Sequence, residues 1–323
     1  MSTLVPAAAP RYAVERCDGN PIVTPEMLGN ADENINGPSL IRVPAWVSRP
    51  LGRYYLYFAH HEGLHIRLAY ADRLEGPWRI HAPGVLHVRE TGWNPDHVAS
   101  PDVLVDEDQR RIRLYFHAPV TPVPKSTDPH YREKLLQARQ DSFVALSGDG
   151  LHFDVRRDSL GPSYFRVWRW RDHYYALPRL ASPLLRSRDG LAGFERASRS
   201  PFDADPSLRD IRHVAVRVES SRLIVFFTRI GDAPEHVCCT SIDMHGDWEA
   251  WKAAPPVPVL YPEEAYEGAT LPVTRSQRGA ALDRERALRD PAVYEEAGAL
   301  YLLYSVAGES GIAIARLRAD RGA

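Results

Sequence analysis

Five stretches of the chain repeat one order of apolar and polar positions. Each begins with a short turn rich in proline or polar residues and enters an apolar strand. A polar or glycine turn then leads into a second strand heavy in Tyr and Phe, and a third strand follows. The repeats open at 36–40, 100–103, 161–165, 212–216 and 289–293, and their second strands lie at 54–58, 112–116, 174–177, 223–227 and 301–304. Repeats of this length are typical of propeller blades with loop insertions.

The pattern predicts an all-β fold, a five-bladed β-propeller with short four-stranded antiparallel blades around a central channel, as one domain over residues 1–323. The last repeat ends after its third strand, so N-terminal residues about 10–25 are expected to close it and remove a sheet edge. Two long inserts, 119–131 and 255–288, break the rhythm, and such loops often carry function. The blades are expected at approximately 36–90, 98–156, 160–200, 210–252 and 287–318.

Composition narrows the class of protein. The 323 residues are 44% hydrophobic and 25% charged, which is typical of a globular chain with a substantial core. The formal net charge is −2, without a long run of one sign, which argues against nucleic-acid or membrane partners. Three cysteines without a disulfide framework, and an N-terminus without the pattern of a signal peptide, predict a cytoplasmic protein. The sequence does not indicate which oligomeric state the protein adopts.

Polar residues at the starts of the first strands are the first candidates for a site, because these strands line the channel of a propeller. They include Asn36, Asp102, Tyr164 and Asp290. A further carboxylate, Glu267, lies between an aromatic residue and a glycine in the second insert. Such a setting can raise the pKa of a carboxyl group, as a general acid requires.

Three short motifs carry a family resemblance: Arg-Asp-Pro at 289–291, Ser-Pro-Asp-Val at 100–103 and Tyr-Glu-Gly at 266–268. They resemble motifs of the five-bladed β-propeller glycosidases, which comprise glycoside hydrolase families 43, 62, 32 and 68, with the family 130 phosphorylases as more distant relatives. The resemblance implies hydrolysis of a sugar or oligosaccharide substrate without a required cofactor. It implies Glu267 as general acid, Asp290 as base or nucleophile, and Asp102 as the residue that tunes the acid and orients the sugar.

The first blade departs from the family pattern. Families 43 and 32 carry their base or nucleophile there as an aspartate, whereas this chain has Asn36 in the matching segment. An asparagine cannot take a proton from water. Asp32 or Glu33 could substitute, Asp290 could take the role, or the chemistry could differ. A non-catalytic carbohydrate-binding propeller is a further hypothesis.

Arginines near predicted strand ends suggest how a substrate is held. Guanidinium groups bind carboxylate, sulfate or phosphate through paired hydrogen bonds, so Arg166, Arg229 and Arg289 could recognise an anionic sugar. The alternative is that they form salt bridges between blades. The predicted substrate-binding residues are Asn36, His61, Tyr164, Arg166, Arg229 and Arg289.

Histidines supply a competing chemistry. His60 and His117 follow second strands, and His213 opens the first strand of blade four. Together they could ligate a divalent metal ion in the channel and activate water. The corresponding hypothesis is a metal-dependent hydrolase or lyase.

Overall fold

The computed structural model describes residues 8–30, 34–93, 97–121, 130, 133–134, 137–281 and 283–320. Within these residues, twenty strands form five four-stranded antiparallel sheets. The first strands of successive sheets contact one another in a closed ring, so each sheet is one blade and its first strand lines the axis. The predicted all-β, five-bladed propeller is confirmed.

The strands of each blade follow one another in the chain, apart from the outermost strand of blade five. Blade one contains β2 (Asn36–Arg42), β3 (Tyr54–Ala59), β4 (His65–Ala71) and β5 (Arg79–His87). Blade two contains β6 (Ala99–Asp106), β7 (Arg111–Pro119), β8 (Gln140–Ser147) and β9 (Asp154–Pro162). Blade three contains β10 (Arg166–Trp170), β11 (His173–Leu177), β12 (Leu185–Ser187) and β13 (Glu195–Arg196). Blade four contains β14 (Ile211–Glu219), β15 (Arg222–Arg229), β16 (Val237–Asp243) and β17 (Val257–Leu260).

Blade five contains β18 (Arg289–Glu296), β19 (Ala299–Ser305) and β20 (Ile312–Ala319), and its outermost strand is β1 (Tyr12–Arg16). β1 pairs with β20 from Tyr12 opposite Ala319 to Arg16 opposite Ala315. The N-terminal strand therefore covers the edge that β20 would otherwise expose.

Helices are short. The α-helix α1 covers Val88–Thr91, and single 3-10 turns lie at Pro25–Leu28, Pro206–Leu208, Trp248–Ala250 and Ala265–Glu267. In the described part of the chain, no helix has the length and apolar character needed to cross a membrane.

The core lies between the blades, and the aromatic second strands explain how neighbouring blades are joined. Tyr57 of blade one donates a hydrogen bond to the carbonyl of Gly150 in blade two at 2.9 Å, and Tyr115 of blade two donates likewise to Gly190 in blade three at 2.9 Å. Both glycines have a left-handed backbone, with φ of +77° and +71°. A Cβ at Gly150 would lie 2.7 Å from the tyrosine oxygen, so the Asp-Gly turns of the repeat are required by packing.

A bulge opens the first strand of four blades. The ladder of β2 shifts between Asn36 and Ser39, and equivalent shifts occur in β6, β14 and β18. At the bulge, Gly37 and Asp290 have positive φ values of +60° and +46°. Bulges of this kind redirect side chains next to functional sites.

Candidate active site

A cavity of about 230 Å³ is lined by residues of blades one to four and of the second insert. Its positive groups are Arg179, Arg212 and Arg278, and its imidazoles are those of His61, His97 and His213. Among the described residues that line it, Glu62 is the one carboxylate. The remaining lining residues are Gln140, Tyr164, Leu180, Ile230, Gly279 and Ala280.

His213 is held by the carboxylate of Asp290. Its Nδ1 contacts Oδ1 of Asp290, and the two side chains are 10% and 3% exposed. The ring of Tyr164 stacks on His213 with centroids 4.6 Å apart, and His117 lies 4.3 Å from the other side of that tyrosine ring. Burial, followed by the charges of Arg212 and Arg166, lowers the pKa of His213 well below its usual value. The imidazole is therefore neutral at neutral pH.

A second imidazole in the cavity has a similar partner. His61 Nδ1 lies 3.4 Å from Oε2 of Glu309, which also accepts hydrogen bonds from Asn34 at 2.7 Å and Asn36 at 3.1 Å. Burial acts to raise the pKa of Glu309, but His61, Arg289 and the bond from Asn34 outweigh it and hold that pKa well below the usual range. Glu309 is thus an ionised carboxylate next to His61, and Asn36 donates a hydrogen bond to it.

Arg289 is the centre of a buried ion-pair network. It is 1% exposed and reaches three carboxylates: Glu235 at 3.2 Å, Glu309 at 3.2 Å and Glu285 at 2.9 Å. These contacts occupy its guanidinium group. They match the salt-bridge alternative considered for this arginine.

Arg212 joins the network to the second insert. Its Nε lies 2.8 Å from Glu235, and its terminal nitrogens donate to the carbonyls of Gln277 and Gly279. The insert between β17 and β18 is thereby fixed against the channel, where Arg278 and Gly279 form one wall of the cavity.

Glu267 does not line the cavity. It is fully buried and accepts hydrogen bonds from Arg16 at 2.8 and 3.0 Å, from Tyr304 at 2.8 Å, and from the backbone amides of Glu263 and Glu264. Both carboxylate oxygens are therefore engaged. The arrangement connects β1 to β19 and is that of a structural carboxylate.

Asp102 lies between blades two and three. Its Oδ2 accepts a hydrogen bond from the amide of Val167 at 2.7 Å, just as Ser39 Oγ accepts one from the amide of Val103 at 2.9 Å. Burial raises the pKa of Asp102, while the charge of Arg166 and the bond from Val167 oppose the rise. Asp102 thus joins blade two to the Val167 amide of blade three, Arg166 donates to the carbonyl of Ser100 at 3.5 Å, and neither residue lines the main cavity.

The other predicted residues are dispersed. Arg229 pairs with Asp232 at 3.0 Å and does not line the cavity. His60 Nδ1 accepts a hydrogen bond from the amide of Glu62. In the part of the chain that the structure describes, no three His, Cys, Asp or Glu side chains form a group that could hold a metal ion, and this includes His60, His117 and His213. The proposed substitutes at 32 and 33 lie outside the described residues.

Sequence reasoning missed Arg179, Arg278 and Glu309. Arg179 comes two residues after the end of β11, much as His60 and His61 follow β3. A polar residue just after a second strand is therefore a sequence signal that could have identified Arg179. No local signal marked Glu309, which lies in the turn between β19 and β20.

Comparisons with known proteins agree with this architecture. No protein-family model matches the chain. A family 43 β-xylosidase/α-arabinofuranosidase from a compost microbial metagenome, solved with xylotriose, has a TM-score of 0.61 at 12% identity and covers 96% of both chains. A family 43 enzyme from Xanthomonas citri, also complexed with xylotriose, has a TM-score of 0.60 at 13% identity and covers 98% of this chain and 91% of its own. Likeness at this identity shows a shared fold.

A closer sequence relative is the protein named Uncharacterized protein R118 of Acanthamoeba polyphaga mimivirus. The two are 34% identical over 334 residues, which cover 94% of this chain and 90% of the viral protein. At this identity and coverage, the chain belongs to the family of mimivirus protein R118.

Proposed function

We propose that this protein is a glycoside hydrolase-like enzyme whose active site is the cavity at the mouth of the propeller channel. One observation carries the proposal: His213 and His61, each against a buried carboxylate, line the same cavity. The glycosidases that share the fold support the reaction class. The free thiols Cys17, Cys238 and Cys239 support the expected reducing, cytoplasmic compartment.

In this proposal His213 is the general base. Its neutral imidazole would take a proton from water through Nε2 while Asp290 stabilises the positive charge that forms. Asp290 is then a positioning residue and acts through His213. This assignment keeps the predicted importance of Asp290 and changes its role.

His61 is the proposed general acid. Its Nδ1 lies 3.4 Å from the carboxylate of Glu309, and in this scheme His61 would deliver a proton to the departing glycosidic oxygen. Glu267 has no part in this scheme, because its oxygens are engaged by Arg16 and Tyr304 and it does not line the cavity.

The cavity also restricts the substrate. Its volume is below the roughly 300 Å³ at which pockets for drug-sized ligands begin. We therefore expect a small sugar or the terminal unit of an oligosaccharide.

The test is turnover of a panel of aryl glycosides and oligosaccharides by the purified full-length protein and by His213→Gln and His61→Gln variants. We expect hydrolysis of at least one glycoside and a loss of about 10²-fold or more in kcat for each variant, the scale of general acid or base catalysis. The matched control is His245→Gln, which removes an exposed histidine paired with Asp243 at 2.7 Å.

Tight sugar binding without turnover would contradict the enzyme proposal and favour a carbohydrate-binding propeller. Turnover that chelation abolishes and a divalent metal restores would instead favour the metal-dependent hypothesis. Full activity in both histidine variants would refute the assigned roles.

A further inference from the structure

We infer that the substrate carries an oxyanion, a phosphate, sulfate or carboxylate group, which Arg179 and Arg278 bind at the wall of the cavity. The inference rests on the proposed function for the sugar part of the ligand, and on the cavity alone for the anion. It assigns anion recognition to residues other than Arg166, Arg229 and Arg289.

Arg179 is held in place by its backbone while its charged group is left for a ligand. Its amide donates to the carbonyl of Ser163 at 3.0 Å, and its carbonyl accepts from the hydroxyl of Ser182 at 2.6 Å. The next two residues, Leu180 and Ala181, are both left-handed, with φ of +56° and +49°. Two such residues in succession are costly and are retained where the surroundings demand them, which is common at ligand sites.

The guanidinium of Arg179 makes no hydrogen bond or ion pair with a described residue. Arg179 lines the cavity together with Tyr164, and its charge acts to lower the pKa of both Tyr164 and His117. A partly enclosed guanidinium without a carboxylate partner is a ready site for a bidentate oxyanion.

Arg278 brings a second guanidinium to the same cavity from the second insert. It is exposed and has no hydrogen bond or ion pair among the described residues. The backbone on both sides of it is fixed, since the carbonyls of Gln277 and Gly279 accept hydrogen bonds from Arg212. The side chain is therefore presented at the cavity by an anchored segment.

The charge balance of the lining favours an anion. The charge of Arg212 is offset by Glu235, and the remaining charged groups of the described lining are Arg179, Arg278 and Glu62. Arginine outnumbers carboxylate at the positions a ligand would touch. Because His213 and His61 lie in the same cavity, the anion would hold the sugar with its glycosidic bond towards the two imidazoles.

The experiment measures binding by calorimetry for matched ligands: a neutral hexose, its phosphate ester, its sulfate ester, the corresponding hexuronate, and inorganic phosphate alone. We expect at least one anionic sugar to bind ten-fold or more tightly than the neutral hexose. Arg179→Ala and Arg278→Ala should each lose most of that preference while retaining binding of the neutral hexose. The control is Arg188→Ala, which removes an 80% exposed arginine from the same blade as Arg179.

Equal affinity for neutral and charged sugars in the unmodified protein would overturn the inference, as would an anion preference that survives both arginine variants. Binding of inorganic phosphate that depends on Arg179 would support an oxyanion site and identify phosphate as its ligand. Turnover separates the two proposals: anion-selective binding without hydrolysis contradicts only the enzyme proposal, and hydrolysis of neutral glycosides without anion preference contradicts only this one.

Discussion

Asp290 of blade five contacts Nδ1 of His213 in blade four through its Oδ1 atom, so a carboxylate and an imidazole from adjacent first strands form one unit at the channel mouth. The carboxylate is 3% exposed, and the imidazole lines the cavity. Asp290 itself does not line the cavity, and in the proposed scheme it acts through His213.

The first prediction concerns this pair. Asp290→Asn should lower kcat by about 10²- to 10⁴-fold, because an amide can hold the imidazole in the wrong tautomer and cannot stabilise its positive charge. KM should change little, and the acid limb of the pH–rate profile should shift. Steady-state kinetics over a range of pH measure both effects.

The control for this prediction is Asp243→Asn, which alters an exposed aspartate–histidine pair on blade four. It should leave the kinetics unchanged. An Asp290→Asn enzyme with a normal kcat and a normal pH profile would contradict a role for Asp290 through His213.

The second prediction concerns stability against pH. Burial lowers the pKa of His97 from 6.5 to about 3, and it lowers those of His117 and His213 well below 6.5. These histidines take up protons on unfolding and not in the folded state. The free energy of unfolding should therefore be highest above about pH 6.5. Below that pH it should fall by up to about 1.4 kcal/mol per pH unit for each histidine.

Urea denaturation at pH 7.5, 6.5 and 5.5 measures this slope. His97→Asn should reduce it, and His152→Asn, which removes an 86% exposed histidine, should not. An unfolding free energy that stays constant between pH 7.5 and 5.5 would contradict the lowered pKa values, because folded and unfolded protein would then bind equal numbers of protons.

The third prediction concerns Glu267. Glu267→Gln should lower the free energy of unfolding by about 3–5 kcal/mol, because it breaks a buried pair with Arg16 and disturbs the closure of blade five by β1. The kcat of the folded variant should stay within a few-fold of the unmodified enzyme. Denaturation curves and kinetics on the same preparation separate the two effects.

The matched control is Glu263→Gln, which removes a 64% exposed partner of the same arginine and should cost less than about 1 kcal/mol. The opposite result for Glu267→Gln, unchanged stability with lost turnover, would restore Glu267 as the general acid that the sequence predicts.

The fourth prediction concerns Arg289. Arg289→Met should destabilise the protein by about 3–5 kcal/mol or more, since it leaves Glu235 and Glu309 buried with one fewer cation. Thermal unfolding measures the loss. Arg42→Met, which breaks the exposed pair with Glu296, is the control. A variant of normal stability that loses only sugar affinity would support the predicted substrate-binding role of Arg289.

The resemblance motifs show how far local sequence could lead. Arg-Asp-Pro and Ser-Pro-Asp-Val were recognisable because each covers a bulge that opens a first strand. Tyr-Glu-Gly looked equally suitable, but its glutamate is directed towards Arg16, which is 251 positions away in the chain. A motif of three residues does not specify such a partner.

The sequence alone determined the propeller. Apolar first strands and aromatic second strands recur five times, and each copy depends on local backbone preference and on burial against a neighbour that has the same pattern. The site was decided by tertiary structure. His213 with Asp290, His61 with Glu309, and Arg179 with Arg278 come from different blades or inserts. Their proposed roles depend on distances and burial that arise only when the ring closes.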